Sequence, residues 1–285
     1  LLWAPPKEDI EHKALTLANE SDAVILFMGL SPRLEGEEMK VRVEGFRGGD
    51  RLTLDLPQLQ KDFIKKIYNT GKPVVLVLLS GSAVSINWEQ QNLPAIIQAW
   101  YPGQAAGTAI ADVLFGDYNP AGRLPVTFYK SVDQLPPFDD YVMNGKTYRY
   151  FNDDALYPFG YGLSYTSFDY SDLSLSSSEI GADGDVTVSV TVTNSGSVGG
   201  EEVVQLYLKS ALTQEGRPIK SLKGFKRISL QAGESKEVSF KLSNDELSFW
   251  DVDNDAYTVF KGNYELLVGK SSADKDLIST SLVVK

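Results

Sequence analysis

Glu35, Glu37, Glu38, Glu44 and Asp50 all lie within one stretch, GLSPRLEGEEMKVRVEGFRGGDR, residues 29–51. Few other groups are available for chemistry. There is no cysteine, which excludes thiolate catalysis, disulfides and cysteine metal sites. The one histidine, His12, sits in a polar helix-like stretch, EDIEHKALTLANE, and reads as a solvated helix residue. A Ser-His-Asp triad or a His-rich metal site would depend wholly on it. Carboxylates, hydroxyls and tyrosine remain. Composition alone favours a solvated acidic surface loop for the five carboxylates. Two observations weigh against that reading. The stretch leaves the end of an apolar run, and its glycines permit unusual backbone geometry close to a ligand. Loops of this length inside a compact domain are uncommon and are usually functional or disordered.

The elements that must position the loop alternate between helix and strand. Residues 7–20 place Ile10, Ala14, Leu17 and Ala18 on one helical face. DAVILFM (22–28) is a continuous apolar run, as expected of a strand buried on both sides. Residues 57–70 predict a helix with Pro57 in its first turn, Leu59, Phe63, Ile64 and Ile67 inward, and Gly71 as the stop. PVVLVLL (73–79) and AIIQAW (95–100) are two further buried-strand runs, and residues 104–115 form a helix stopped by Gly116. This is a parallel α/β arrangement, whose active edge lies beyond the carboxyl ends of its strands. The carboxylate loop leaves from such an end. So do the segments after Leu79 and Trp100.

From about Phe168 the pattern changes. DVTVSVTVTN (185–194), EEVVQLYLK (201–209), ESKEVSFKL (234–242) and NYELLVG (263–269) alternate at the spacing of an antiparallel sandwich. Between the halves, residues 148–170 hold nine aromatics in 23 positions. That is no flexible linker, and its aromatics supply interdomain packing area or, on the sharper reading, a carbohydrate-stacking surface. The expected organisation is an α/β part over residues 1–135, an aromatic-rich interdomain segment over 136–167, and a β-sandwich over 168–285.

The formal net charge of −11, with dispersed Lys and Arg, argues against a nucleic acid or an anionic membrane as partner. No apolar run approaches the roughly 20 residues of a membrane span. The opening LLWAPPKED reads as mid-protein sequence rather than a signal peptide. P-loop, dinucleotide and nucleophile-elbow motifs are absent, and DVDNDAYTVFKG (251–262) lacks the Gly and Glu that a calcium loop needs.

Five strings carry a resemblance: GLSPRLEGEE, GGDR, GKPVVLVLLSGSAVSINW, AWYPGQAAGTAIADVLFGDYNPAGRLPVTF and YPFGYGLSYTSFDY. Together they resemble glycoside hydrolase family 3, the β-glucosidase and β-xylosidase family, across nearly the whole chain. The resemblance implies a partial parallel α/β sandwich domain followed by a fibronectin type III-like β-sandwich. It implies a retaining, exo-acting hydrolase of terminal β-linked sugars. Such an enzyme needs two carboxylates about 5–5.5 Å apart, one a nucleophile and one a proton donor that later accepts, and no cofactor or metal. In the family the nucleophile Asp lies on an N-terminal (β/α) barrel, and the acid/base Glu lies on a loop of the following domain. The matching residue here is Glu37, with Glu35 as runner-up and Asp50 and Arg51 positioning the loop. Trp100, Tyr101 and Gln104 follow a strand where they are placed to contact substrate, although core packing is an equal reading for Trp100. Arg42, Arg47 and Arg51 are candidates to hold the loop through carboxylate pairs. The barrel is missing from this chain, so the rest must come from the same protein or a partner chain, and the fragment alone is expected to be inactive. A bacterial periplasmic or secreted setting is also implied. The alternative is a non-catalytic module that binds carbohydrate or protein through the sandwich and the aromatic segment.

Overall fold

The computed structural model describes residues 8–35, 39–48, 50–210 and 216–285. The chain divides into two compact units. One comprises Leu1–Ile110, Phe128–Gln134 and Asp154–Leu156; the other comprises Ala111–Thr127, Leu135–Asp153 and Tyr157–Lys285.

In the first unit the order is α1 (Glu8–Glu20), β1 (Val24–Gly29), α2 (Gln58–Tyr68), β2 (Val74–Leu79), α3 (Asn87–Asn92), β3 (Ala95–Gln98) and α4 (Ala106–Phe115). The division between the units falls within α4. The three strands form a parallel sheet in the order β1-β2-β3, with Gly29 opposite Leu79 and Leu78 opposite Gln98. β2 is central, and Val74, Leu76, Val77 and Leu78 are all within 1 % of full burial, as its unbroken apolar run requires. The edge strand β1 departs from expectation. Ile25 and Phe27 are 42 % and 55 % exposed, so β1 is not buried on both sides. The same holds for the expected inner faces of the helices. Ile10 and Leu17 of α1 and Leu59 of α2 are exposed, while Ala18, Ile64 and Ile67 are buried. Apolar periodicity states which face could be covered; among the described residues, nothing covers these positions.

α2 follows Pro57, carries Lys65 and Lys66 in its last turn where the helix dipole favours cations, and is stopped by Gly71 at φ +75°. It also contributes one buried polar side chain. Gln60, 4 % exposed, receives a 2.8 Å bond from the Gly29 amide and donates a 2.7 Å bond to the Gly29 carbonyl. Gln60 thus closes the hydrogen-bonding of the last residue of β1, at the point where the chain leaves the sheet. Gly29 itself stands at φ +136°, and a Cβ there would lie 1.8 Å from the Leu79 carbonyl oxygen. Only glycine permits this close approach. Gln60→Ala would leave both backbone groups of Gly29 without their partner. We expect a stability loss of about 1–3 kcal/mol, read as a lower denaturant midpoint; an unchanged midpoint would show that water replaces Gln60 freely.

The second unit is a β-sandwich. Its main strands are β4 (Phe168–Leu175), β5 (Val186–Asn194), β6 (Gly200–Ser210), β7 (Ser221–Leu230), β8 (Ser235–Leu242), β9 (Gly262–Gly269) and β10 (Leu277–Val284). One sheet has the order β8-β5-β4. The other runs β7-β6-β9-β10, with the short segment Glu179–Ile180 at its edge. β5 alternates strictly, with Val186, Val188, Val190 and Val192 buried, and they meet Leu206, Leu208, Leu266, Val268 and Phe240 in one core. β6 is buried on its outer face as well. Gln205 and Tyr207 are 3 % and 0 % exposed because the aromatic segment lies over them. Tyr148 meets the Tyr207 ring edge-on at 5.8 Å and stacks on Phe159 at 4.4 Å, while Gln205 donates to the Gly160 carbonyl at 3.1 Å. These aromatics are packing residues of the sandwich unit. Residues 249–258 form a hairpin, with Phe249–Asp251 paired to Ala256–Thr258.

Candidate functional site

The loop after β1 is held by its own apolar residues and by backbone bonds. Leu30, Leu34, Phe46 and Leu56 are buried, and Phe46–Arg47 pairs with Asp50–Arg51 in a two-residue ladder. Its far end joins the segment that follows β2. The Ser85 amide donates to the Leu54 carbonyl at 2.8 Å, and Asp55 pairs with Ser85 in a parallel bridge. The loop therefore lies along the residues that leave β2, at the carboxyl end of the sheet.

There the structure brings together Glu35, Arg51, Ser82 and Tyr101. Glu35 Oε1 accepts a 2.8 Å bond from the Ser82 hydroxyl. Glu35 Oε2 accepts from the Tyr101 hydroxyl, and a longer 3.4 Å bond from the Gly81 amide. Arg51 Nη1 donates to Ser82 Oγ and to the Ala83 carbonyl, each at 2.8 Å. Ser82 thereby accepts from arginine and donates its single O–H to Glu35. Burial, then the bond to Glu35 and the charge of Glu35, push the Tyr101 phenol far above its ordinary value. Tyr101 therefore stays a donor throughout the working range of proteins. Burial pulls the Arg51 guanidinium below its ordinary value, against the opposing charge of Glu35.

Two backbone features aim Tyr101. Trp100 stands at φ +56°, a left-handed conformation that costs a non-glycine residue of order 1–3 kcal/mol. It turns the Trp100 ring edge-on to Phe128, at 6.0 Å between centroids, and the next side chain toward Glu35. Gly81 supplies the room. A Cβ there would stand 2.8 Å from Tyr101 Cε2 and 3.3 Å from Glu35 Oε2.

The sequence-derived candidates fall unevenly. Glu35, Arg51 and Tyr101 meet. Glu37 lies outside the described residues. Gln104 and Asp50 are exposed, as are Arg42 and Arg47. Arg51 departs from expectation, because its hydrogen bonds go to a hydroxyl and a carbonyl rather than to a carboxylate. Trp100 is half-buried, with its ring against Phe128. Sequence reasoning did not single out Gly81, Ser82 or Ala83. Their signal was positional, since they directly follow the buried run that ends at Leu79. No helix among the described residues is long and apolar enough to cross a membrane.

The chain is similar to known proteins over most of its length. Residues 6–165 match the glycosyl hydrolase family 3 C-terminal domain, and residues 202–272 match a fibronectin type III-like domain. A protein of Xylanibacter ruminicola named xylan 1,4-beta-xylosidase is 50 % identical over 255 residues, covering 89 % of this chain and 29 % of its own length. A protein of Salmonella typhimurium named periplasmic beta-glucosidase is 40 % identical over 273 residues, covering 92 % of this chain and 34 % of its own. The crystal structure of a Bifidobacterium adolescentis GH3 beta-glucosidase superposes with a TM-score of 0.85 at 30 % identity, covering 99 % of this chain and 42 % of that one. The chain thus spans between 29 % and 34 % of the length of these two curated relatives. With a family model matched over more than half its length, the chain belongs to glycosyl hydrolase family 3.

Proposed function

We propose that this chain is the C-terminal portion of a retaining, exo-acting β-glycosidase, a β-glucosidase or β-xylosidase, in which Glu37 is the acid/base. The nucleophile Asp comes from an N-terminal (β/α) barrel of the same protein or of a partner chain, and the substrate is a β-linked oligosaccharide or glycoside. The observation that carries this reading is a carboxylate-bearing loop docked along the carboxyl end of a parallel sheet. Glu35 is taken up by protein donors there, which leaves the second Glu of Glu-Gly-Glu for substrate. Tyr101, 40 % exposed, keeps ring surface for the aglycone side, with the exposed Gln104 three positions further on. Asp50 and Arg51 position the loop. Two carboxylates complete the chemistry without a cofactor. In this reading residues 1–135 belong to the α/β sandwich domain, 136–167 join it to the next, and 168–285 form the fibronectin type III-like scaffold. The periplasm or exterior of a bacterial cell is the proposed location.

Purified residues 1–285 should show no turnover of aryl β-glucosides or β-xylosides, because the nucleophile is not among them. Turnover by this polypeptide that Glu37→Gln abolishes would overturn the proposed split.

A further inference from the structure

We propose that Glu35, Ser82 and Tyr101 form a latch that fixes the catalytic loop to the carboxyl ends of β2 and β3, and that Glu35 is a positioning residue rather than the proton donor. The proposal rests on the reading above, that the same loop carries the acid/base two residues further on.

Three observations converge on it. First, the bonds are all of one kind. The Ser82 hydroxyl, the Tyr101 hydroxyl and the Gly81 amide all donate, and both oxygens of Glu35 accept. A group whose lone pairs face fixed protein donors is built to hold a place, whereas a proton donor must turn an O–H toward its substrate. Second, the partners come from distant parts of the chain. Ser82 and Tyr101 are 47 and 66 residues from Glu35, and they leave the ends of two adjacent strands. The latch therefore ties the loop to the rigid part of the sheet, as precise placement of a reacting group demands. Third, the surroundings carry features that this arrangement uses. Trp100 holds a left-handed backbone, and Gly81 leaves the space that the Tyr101 ring and the Glu35 carboxylate occupy. Strain of this kind persists where neighbouring structure over-determines it, typically at functional sites.

The donor pattern makes Glu35→Gln a sharp test. With its NH2 group at the Oε2 position the amide meets the Gly81 N–H, and with it at the Oε1 position it obliges the Ser82 hydroxyl to turn from donor to acceptor. The variants are Glu35→Gln, Tyr101→Phe, the pair together, and Glu37→Gln, each in the full-length polypeptide that carries this chain. The readouts are kcat/KM on aryl glycosides of graded leaving-group pKa, and kcat with and without azide. Glu35→Gln and Tyr101→Phe are expected to lower kcat/KM by about 10–100-fold, alike for good and poor leaving groups and with no rescue by azide. The double variant should lose little more than the worse single one, because both act on one latch. Glu37→Gln should instead lose most on poor leaving groups and form glycosyl azide. Tyr101→Phe removes one hydroxyl only, so it keeps the test valid if Glu35→Gln fails to fold. A leaving-group-dependent loss with azide rescue in Glu35→Gln would make Glu35 the proton donor and overturn the latch. So would full activity in both Glu35→Gln and Tyr101→Phe. If neither Glu residue shows leaving-group dependence, the underlying reading of the loop falls, and the latch with it.

Discussion

Glu37→Gln in the full-length polypeptide is expected to lower kcat/KM on unactivated β-glycosides by about 10²–10⁴-fold, the usual worth of a positioned general acid. The isosteric amide keeps the volume and removes the transferable proton. The effect should have a pH signature. In a retaining mechanism one carboxyl must be ionised and the other protonated, so kcat/KM is bell-shaped and its alkaline limb reports loss of the donor's proton. The variant should lose that limb and keep the acid limb, which belongs to the nucleophile. An alkaline limb that survives Glu37→Gln unchanged would assign the donor elsewhere. The same loss on an activated leaving group should be small, since such a group departs without a proton.

The largest stability effect is expected within the sandwich unit. Arg123 Nη2 lies 3.0 Å from Glu202 Oε2, with side-chain exposures of 8 % and 2 %. Burial raises the Glu202 carboxyl above its ordinary value, and the attraction of Arg123 opposes that rise. Arg123→Met removes the opposing attraction and leaves a buried charge, a change that typically costs about 3–5 kcal/mol. The sign of the pH dependence follows from proton linkage. A carboxyl whose folded value lies above its unfolded one binds more protons when folded. Its contribution to stability is then present at low pH and is lost as pH rises through the folded value. The variant's deficit should therefore be greatest near neutrality and shrink as pH falls toward the carboxylate range. Denaturant midpoints at about pH 7.5 and about pH 5 would show it. Equal deficits at the two would mean that lost packing, not an unpaired charge, is responsible. Adding Glu202→Leu to the variant should recover much of the loss, because the pair together gains little over an apolar replacement.

What the sequence made legible was whatever local pattern determines. Unbroken apolar runs marked β1, β2 and β3, strict alternation marked β5, and Gly71 and Gly116, at φ +75° and +85°, end their helices as their positions indicated. Coverage was not legible. Ile25, Phe27, Leu59, Ile10 and Leu17 satisfy an inward pattern, yet burial depends on what lies opposite, which no local window contains. The candidate site divides in the same way. Residue type and strand-end position pointed to the carboxylate loop, Arg51 and Tyr101. The bond between Glu35 and Tyr101 spans 66 positions and was not readable. Neither was the hydroxyl of Ser82 between Arg51 and Glu35, because a serine in a turn has no pattern that reports its partner. Arg51 shows the limit plainly. Charge suggested a carboxylate partner, whereas the fold presents it with a hydroxyl and a carbonyl.

The covering of β6 on both faces bears on how this module can be recombined. A gene fusion that joins the sandwich at the first residue of β4 would transfer every main strand and still strip Tyr148, Phe159 and Gly160 from Tyr207 and Gln205. The exchangeable cassette is therefore longer than its strands. In both genetic shuffling and protein engineering, the crossover point that keeps β6 covered and Glu202 paired lies upstream of Arg123, within sequence that carries no strand of the sandwich.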